Sequence, residues 1–156
     1  MTLREGFIAP VFSLYDSEKK KVSLTDFRGQ NILLLFFPLA FTGTCTKELC
    51  SIRDSLERYN NLDTQVLGIS VDSLYTLARY KADQNLNFPL LSDFNKTVSE
   101  LYGSLYETFG FEMQGVSKRS AFVVDREGII KYAQVLENAS EVPDFDKIQE
   151  KLATLM

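Results

Sequence analysis

The stretch FFPLAFTGTCTKELCSIRD, residues 36–54, constrains the fold of this chain more than any other segment. An apolar run over residues 32–37 leads into it and ends at a proline, which is typical of a buried strand that stops there. A polar turn over residues 42–44 follows, and Cys45 comes directly after it. Apolar residues then recur at helical spacing, namely at Leu49, Ile52, Leu56 and Tyr59. The pattern predicts a strand, a tight turn and a helix.

Cys45 falls in the first turn of this helix, which we expect to begin near Thr44 or Cys45 and to end near Tyr59 or Asn60. The first backbone N–H groups of a helix have no partner within it, and the helix dipole favours negative charge there. Both effects stabilise a thiolate relative to a thiol, and the thiolate is the reactive form of cysteine. Cys45 is therefore the candidate nucleophile, with a buried and inert cysteine as the common alternative.

Two absences narrow the chemistry that Cys45 can use. The chain has no histidine, so it offers neither a Cys–His dyad nor the commonest metal ligand. Its only two cysteines, Cys45 and Cys50, are too few for a tetrahedral structural zinc site. We expect no metal and no cofactor, and we expect an arginine, a lysine or the backbone to activate Cys45.

The length and composition indicate a globular chain. Because it has 156 residues, of which 45% are apolar, we expect residues 1–156 to form a single domain with a substantial core. The formal net charge is -4, and the basic cluster at residues 19–21 is typical of a solvated hairpin tip, so nucleic acid is not an expected partner. No segment is long and apolar enough to cross a bilayer, and the N-terminus lacks the apolar core of a signal peptide. We therefore expect a cytoplasmic protein with no membrane partner.

The rest of the pattern predicts the other elements of an α/β chain. Turn residues between short apolar runs indicate hairpins, and continuous apolar runs indicate buried strands. The predicted segments are hairpins over 7–24 and 121–135, strands over 31–37, 66–71 and 90–91, and helices after an N-cap at 72–73, over 95–102 and from about 143. This order predicts a thioredoxin-like α/β fold, with a central mixed sheet flanked by helices and an N-terminal extension.

The residues around Cys45 resemble the active-site motif of the peroxiredoxins. Residues 38–45, PLAFTGTC, contain its proline, three further residues, a threonine, two residues and the cysteine. Glu48 stands where the family has a glutamate, Arg119 matches its active-site arginine, and residues 88–93 are similar to its central segment. The likeness covers nearly the whole chain, with the elements in the family's order.

Two groups within the family share parts of this pattern. The motif PLAFTGTC is similar to the alkyl hydroperoxide reductase E group, whereas a second cysteine five residues after the first, Cys50, is similar to the bacterioferritin comigratory protein group. The chain has no cysteine near its C-terminus, so the typical mechanism with a bridge between subunits through the C-terminal tail is excluded. The resemblance is compatible with a monomer or a homodimer.

The resemblance implies a role for each matching residue of the turn. Cys45, as a thiolate, attacks the terminal oxygen of a hydroperoxide and becomes a sulfenic acid. Thr42 orients the peroxide or the thiolate through its hydroxyl, and Pro38, which has no N–H, shields the sulfur from water. From the residues alone, Thr42 is more simply a helix cap, and Pro38 is equally the end of a strand.

The resemblance also assigns the charged residues. Arg119 is always charged and can donate to the thiolate and to peroxide oxygens together. In the transition state negative charge spreads from sulfur to the leaving oxygen, so a fixed cation there lowers the barrier. Without the resemblance, the adjacent Lys118 is an equal candidate. Glu48 is expected to orient Arg119 or Arg53 by a charge-assisted hydrogen bond, with a solvated carboxylate as an equal alternative.

Cys50 is the candidate resolving thiol, which forms a disulfide with oxidised Cys45; a free buried thiol is the alternative. On an intact helix the two Cα atoms would be about 8 to 9 Å apart, with the side chains pointing apart. A disulfide rarely tolerates a Cα separation above about 7 Å. Bridge formation is therefore expected to require the start of the helix to unwind.

An aromatic stretch precedes Arg119. Its members can line the pocket, form a dimer contact or pack in the core, and the sequence does not choose among these places. They are Tyr102, Tyr106, Phe109, Phe111 and Met113.

The resemblance implies a thiol-dependent peroxidase that reduces hydrogen peroxide and organic hydroperoxides and is recycled by a thioredoxin-like reductant. Two other functions use the same cysteines. A thioredoxin-like disulfide oxidoreductase is disfavoured because the spacing Cys45-x4-Cys50 differs from Cys-x-x-Cys. A non-enzymatic thiol redox sensor with a Cys45–Cys50 bridge is not separated from the peroxidase by the sequence. Steady peroxide consumption is the observation that separates them.

Overall fold

The computed structural model describes residues 3–156. The strands are β1 (Ser13–Asp16), β2 (Lys21–Ser23), β3 (Asn31–Phe36), β4 (Thr64–Ser70), β5 (Leu90–Ser92), β6 (Ser120–Val124) and β7 (Ile130–Val135). The α-helices are α1 (Gly43–Asp54), α2 (Leu56–Asn61), α3 (Leu74–Gln84), α4 (Thr97–Leu101) and α5 (Phe145–Thr154). Two 3-10 helices lie at Leu24–Phe27 and Gly110–Glu112.

Within the described residues, the strands form one seven-stranded mixed sheet in the order β2-β1-β5-β4-β3-β6-β7. β3 and β5 are parallel to β4, whereas the other neighbouring pairs are antiparallel. The two predicted hairpins are confirmed as β1–β2 and β6–β7. The mixed sheet with its helices confirms the predicted α/β fold class. No helix in residues 3–156 combines the length and the apolar character that a membrane span needs.

β3 is buried along its whole length and separates two parts of the core. Successive side chains of a strand point to opposite faces of the sheet. Leu33 and Leu35 therefore pack in a cluster with α1, α3 and α5, whereas Leu34 and Phe36 pack in a second cluster with the N-terminal segment and α4. Cys45 belongs to the first cluster, so α1 is packed onto the sheet through the same face that carries the candidate nucleophile.

The prediction of one helix from about Thr44 to Asn60 is wrong in its C-terminal part. α1 ends at Asp54 and α2 begins at Leu56, with Ser55 between them at φ −109° and ψ 11°. The N–H of Ser55 still bonds to carbonyls of the preceding turn, so the break involves one residue. The apolar spacing continues across such a short break, and for this reason the sequence pattern gives no sign of it.

Side-chain caps fix the starts of two helices near their predicted positions. Ser73 accepts a hydrogen bond from the N–H of Thr76 at 3.1 Å and caps α3, as predicted. Asp144 accepts from the N–H of Lys147 at 3.1 Å and caps α5. The helix predicted from residue 95 is shorter, because α4 begins only at Thr97.

Candidate active site

The turn between β3 and α1 carries the predicted motif and is anchored to the neighbouring strand. The N–H of Ala40 donates to Oδ2 of Asp72, which follows β4, at 2.8 Å. Phe41 has a φ of 67°, a left-handed conformation that is costly for a residue with a Cβ. The anchor holds this strained turn immediately before α1. The sequence pattern at Asp72 predicted only a helix cap and gave no sign of this hydrogen bond to the turn.

Thr42 is the N-cap residue of α1, but its side chain does not cap the helix. Its hydroxyl instead donates to the carbonyl of Leu39 at 2.7 Å, so the simple helix-cap interpretation of this side chain is wrong. Because its proton is engaged in that bond, the Thr42 oxygen presents acceptor lone pairs to the pocket that it lines. Pro38, buried just beyond β3, lines the same pocket.

Cys45 is the third residue of α1, which confirms the predicted position in the first helical turn. The residue is only 1% exposed, and its Sγ lies 3.3 Å from Nη2 of Arg119. The helix start and a guanidinium therefore both favour negative charge at this sulfur. Both cysteines are free thiols in this structure.

Arg119 is the cation beside the sulfur, and the adjacent Lys118 is not. Arg119 directly precedes β6 and is 1% exposed, with Nη1 donating to Oε1 of Glu48 at 2.7 Å. Its Nε and Nη2 donate to the carbonyl of Ala139 at 3.2 and 3.0 Å. Neighbouring residues of an extended segment point to opposite sides, so Lys118 faces outward, where its Nζ pairs with Glu137 at 2.7 Å.

Glu48 lies one helical turn after Cys45 and is also 1% exposed, so it is not the solvated carboxylate that the sequence allowed. Burial raises the pKa of the Glu48 carboxyl from 4.5 to about 7, although Arg119 opposes part of the shift. The pKa of Arg119 is raised as well, since attraction to Glu48 and Cys45 outweighs its own burial. Of the two arginines predicted as possible partners of Glu48, Arg119 and Arg53, it is Arg119 that contacts Glu48 in the structure.

Arg53, the other candidate partner of Glu48, points elsewhere. Its Nε pairs with Asp54 at 2.9 Å, and its Nη1 donates to the carbonyl of Gln84 at 2.6 Å. Both contacts lie toward the C-terminal end of α1. Arg53 therefore ties this end of α1 to α3 and does not join the Arg119–Glu48 pair.

A pocket of about 250 Å³ opens over Cys45. The pocket is lined by the motif residues and by Arg119. Two loops that follow α1 in the sequence also line it, one through Phe109 and the other through Ala139 and Ser140. Ala139 contributes its backbone carbonyl, for which no sequence signal exists. A larger depression of about 490 Å³ lies at Ser17 and Lys81, but no cysteine lines it.

The aromatic stretch before Arg119 divides among several environments. Tyr102 is fully buried in the second core cluster, and Phe109 lines the pocket. Phe111 is 99% exposed and Met113 is 37% exposed. Tyr106 is half-buried, and its hydroxyl donates to the carbonyl of Glu137 at 2.7 Å. The stretch thus combines core, pocket, half-buried and exposed positions, which its composition alone did not distinguish.

Cys50 lies on α1 together with Cys45, and the helix is continuous between them. Its side chain is half-buried, packs at the edge of the first core cluster, and donates to Oε1 of Gln84 at 3.5 Å. The helical placement of both cysteines agrees with the prediction.

A comparison with known protein families identifies the family to which the chain belongs. The model of the AhpC/TSA family matches residues 6–133, which is most of the sequence. The chain belongs to the AhpC/TSA family. The peroxiredoxin resemblance inferred from residues 38–45, Glu48 and Arg119 is thereby confirmed.

The relatives come from both groups that the motif resembled. Alkyl hydroperoxide reductase E from Mycobacterium tuberculosis is 41% identical over 98% of this chain and 98% of its own length. Peroxiredoxin Bcp from Escherichia coli is 39% identical over 83% of this chain and 84% of its own length. The crystal structure of peroxidoxin BcpB from Mycobacterium tuberculosis superimposes with a TM-score of 0.87 at 25% identity, covering 99% of both chains.

The raised pKa of Glu48 predicts a pH-dependent contribution to stability. Between pH 4.5 and about 7 the folded protein retains a proton on Glu48 that the unfolded chain has lost, so stability falls as pH rises through this window. At about 1.4 kcal/mol per pH unit, the whole window corresponds to a loss of about 3 kcal/mol. Glu48→Gln lacks this titration. Urea unfolding of both proteins at several pH values should give a difference in unfolding free energy that declines from pH 4.5 to about 7 and is constant above it.

All other titrating groups are common to both proteins, so the difference isolates Glu48. A difference that is constant above pH 4.5 and falls as the pH is lowered below this value would contradict the assignment, because it would mean that Arg119 holds the carboxylate ionised in the folded protein.

Proposed function

We propose that this chain is a thiol-dependent peroxidase in which Cys45 reduces hydrogen peroxide and organic hydroperoxides. The observation that carries the proposal is the 3.3 Å contact between Sγ of Cys45 and Nη2 of Arg119 at the base of an open pocket. A thiolate needs both a nearby cation and access for its substrate, and this arrangement offers both. Family membership and the names of the relatives support the same activity.

The first step transfers one oxygen atom to sulfur. The Cys45 thiolate attacks the terminal oxygen of the hydroperoxide, an S–O bond forms, and the O–O bond breaks. The cysteine is oxidised to a sulfenic acid that keeps the terminal OH, and the substrate is reduced to an alkoxide or hydroxide. This leaving group takes a proton from water to give an alcohol or a second water molecule.

Arg119 stabilises the charge that moves during this step. Its Nη2 already faces the sulfur, and the guanidinium is held by Glu48 and by the Ala139 carbonyl, so it needs little reorganisation. Thr42 complements this cation, since its oxygen can accept from the peroxide OH while Arg119 donates to peroxide oxygens. Pro38 offers no N–H to the pocket and helps to exclude water from the sulfur.

The mixed character of the pocket supports activity on organic hydroperoxides as well as hydrogen peroxide. Phe109 and Ala139 offer apolar surface beside the polar groups around Cys45. The organic group of a hydroperoxide can therefore contact the apolar surface of Phe109 and Ala139 while its peroxide group hydrogen-bonds to Arg119 and Thr42.

Cys50 is the proposed resolving residue. Its thiol attacks the sulfur of the Cys45 sulfenic acid, a disulfide forms, and water leaves. A thioredoxin-like dithiol then reduces the Cys45–Cys50 bridge by thiol–disulfide exchange. Since both residues lie on the continuous α1, this step requires part of the helix to unwind. The cytoplasmic location and the monomeric or dimeric state stay predictions from the sequence.

The two cysteines have different expected phenotypes when each is replaced by serine. Cys45→Ser should abolish peroxide consumption with a dithiol reductant, because no other thiolate has access to the pocket cation. Cys50→Ser should react with the first peroxide at the wild-type rate, fail to recycle with a thioredoxin-type reductant, and accumulate sulfinate at Cys45. Peroxide consumption and intact-mass spectrometry measure both outcomes. Near wild-type turnover in Cys45→Ser would refute the proposal, and insulin reduction without peroxide consumption would favour a disulfide reductase.

Replacing Arg119 by lysine tests the role of the guanidinium. Lysine keeps the positive charge but cannot bond to Cys45, Glu48 and Ala139 together. Arg119→Lys should slow sulfenate formation by about 100-fold, as for the loss of a preorganised donor. Stopped-flow fluorescence or competition with a known peroxidase gives the rate constant. The matched control is Lys118→Ala, which removes an outward-facing cation and should react like wild type; the opposite ranking would move the activating charge to Lys118.

A further inference from the structure

α3 contacts α1 through three hydrogen bonds along one face. The hydroxyls of Thr46 and Tyr80 share a hydrogen bond of 2.9 Å. Further along, Cys50 donates to Gln84 at 3.5 Å, and Arg53 donates to the carbonyl of Gln84 at 2.6 Å. Tyr80 and Gln84 are four residues apart on α3 and so lie on the same face of that helix. α3 therefore supports α1 both near Cys45 and near Cys50.

These contacts are unequal at the two ends of α1. The C-terminal end is held by the Arg53 contact, by a bond from Asn87 to the Arg53 carbonyl at 3.2 Å, and by buried Leu49 and Ile52. The first turn begins with the exposed Gly43 and the half-buried Thr44. If part of the helix unwinds to bring the cysteines together, opening the first turn breaks the Arg119 contact of Cys45 and the Thr46–Tyr80 bond. Opening the C-terminal end would in addition expose the buried Leu49 and Ile52.

Thr46 immediately follows Cys45, so the first turn cannot unwind without separating Thr46 from Tyr80. Tyr80 itself stays in place, because its ring is fully buried and packs against Phe37 and Phe41. We propose that the Tyr80–Thr46 hydrogen bond controls the opening of the first turn of α1, and thereby the rate at which Cys50 resolves the Cys45 sulfenate. Tyr80 is in this sense a positioning residue for the resolution step. This inference rests on the proposed function of Cys45 and Cys50.

The strength of this hydrogen bond then determines which of two competing reactions consumes the sulfenate. Once the turn opens, the Cys50 thiol displaces water from sulfur and the bridge forms. While the turn stays closed, a second hydroperoxide can transfer another oxygen to the sulfenate, giving a sulfinate and an alcohol or water. A stronger bond favours sulfinate, and a weaker bond favours the disulfide.

Tyr80→Phe removes the hydroxyl and keeps the ring, so it tests this bond with little change in packing. A neutral hydrogen bond typically changes an equilibrium constant by about two- to ten-fold, and we expect bridge formation to accelerate by that factor. The peroxide concentration that converts half of Cys45 to sulfinate should rise by the same factor. The rate of sulfenate formation should not change, because the bonds to Cys45 come from Arg119. Quenched-flow samples analysed by mass spectrometry report sulfenate, disulfide and sulfinate separately.

The matched control is Tyr59→Phe. Tyr59 is equally buried in the same core cluster, but its hydroxyl accepts from Gln149 of α5. This variant should resolve like wild type. If Tyr59→Phe and Tyr80→Phe behave alike, a general loosening of the core explains the effect and the proposal is wrong.

Thr46→Val is a second test of the same hydrogen bond, because it removes the Thr46 hydroxyl at nearly constant side-chain volume. Each single variant should accelerate resolution, and the double variant should be no faster than the faster single one, since all three lack the same bond. Multiplicative effects, or unchanged resolution in Tyr80→Phe, would overturn the proposal.

Amide exchange in the reduced proteins separates this inference from the proposed function. Exchange over residues 43–49 should be about two- to ten-fold faster in Tyr80→Phe than in wild type, whatever the chemistry of Cys45. If peroxide leaves Cys45 of the wild-type protein unoxidised, with no sulfenate, disulfide or sulfinate formed, the peroxidase is refuted. Unchanged exchange in Tyr80→Phe would refute the role of Tyr80 by itself.

Discussion

The buried hydrogen bond from Nη1 of Arg119 to Oε1 of Glu48 is the interaction on which the rest of the site depends. Taking the guanidinium charge out of water is costly, and leaving a buried charge without its partner typically costs about 3 to 5 kcal/mol. The cost is offset here because the guanidinium also donates to the Ala139 carbonyl and to the sulfur of Cys45. One guanidinium therefore serves two acidic groups: the Glu48 carboxyl, whose pKa burial raises to about 7, and the thiol of Cys45, which is the proposed nucleophile.

Three elements converge to build this arrangement. β3 delivers the chain to the anchored turn, α1 places Cys45 and Glu48 one turn apart on its inner face, and the start of β6 brings Arg119 between them. β3 and β6 are antiparallel neighbours, with Phe36 paired to Ser120. The end of β3 and the start of β6 are thus adjacent. For this reason Cys45 and Glu48, which follow β3, lie close to Arg119, although they are far from it in the sequence.

The sequence predicted the parts of this site that depend on local pattern. The helix start at Cys45, the buried strand before it and the two hairpins follow from periodicity and turn residues. The family motif selected Arg119 over Lys118, a choice that only the alternation of side chains before β6 explains physically. Local pattern could not reveal contacts made by backbone or across the sheet, such as the Ala139 carbonyl, the Asp72 anchor or the Tyr80 hydroxyl. It also missed the break at Ser55, because a single non-helical residue leaves the apolar spacing intact.

The central claim is that one helix cannot serve both states of the catalytic cycle, because Cys45 is held for attack by the same turn that keeps it away from Cys50. The most direct test compares amide exchange over residues 44–54 in the reduced protein and in the peroxide-oxidised protein, with the Cys45–Cys50 bridge verified by mass spectrometry. The account predicts slow exchange in the reduced state and clearly faster exchange in the bridged state, beginning at the first turn of α1. Equal protection in both states would contradict it, since the bridge would then form without any opening of the helix.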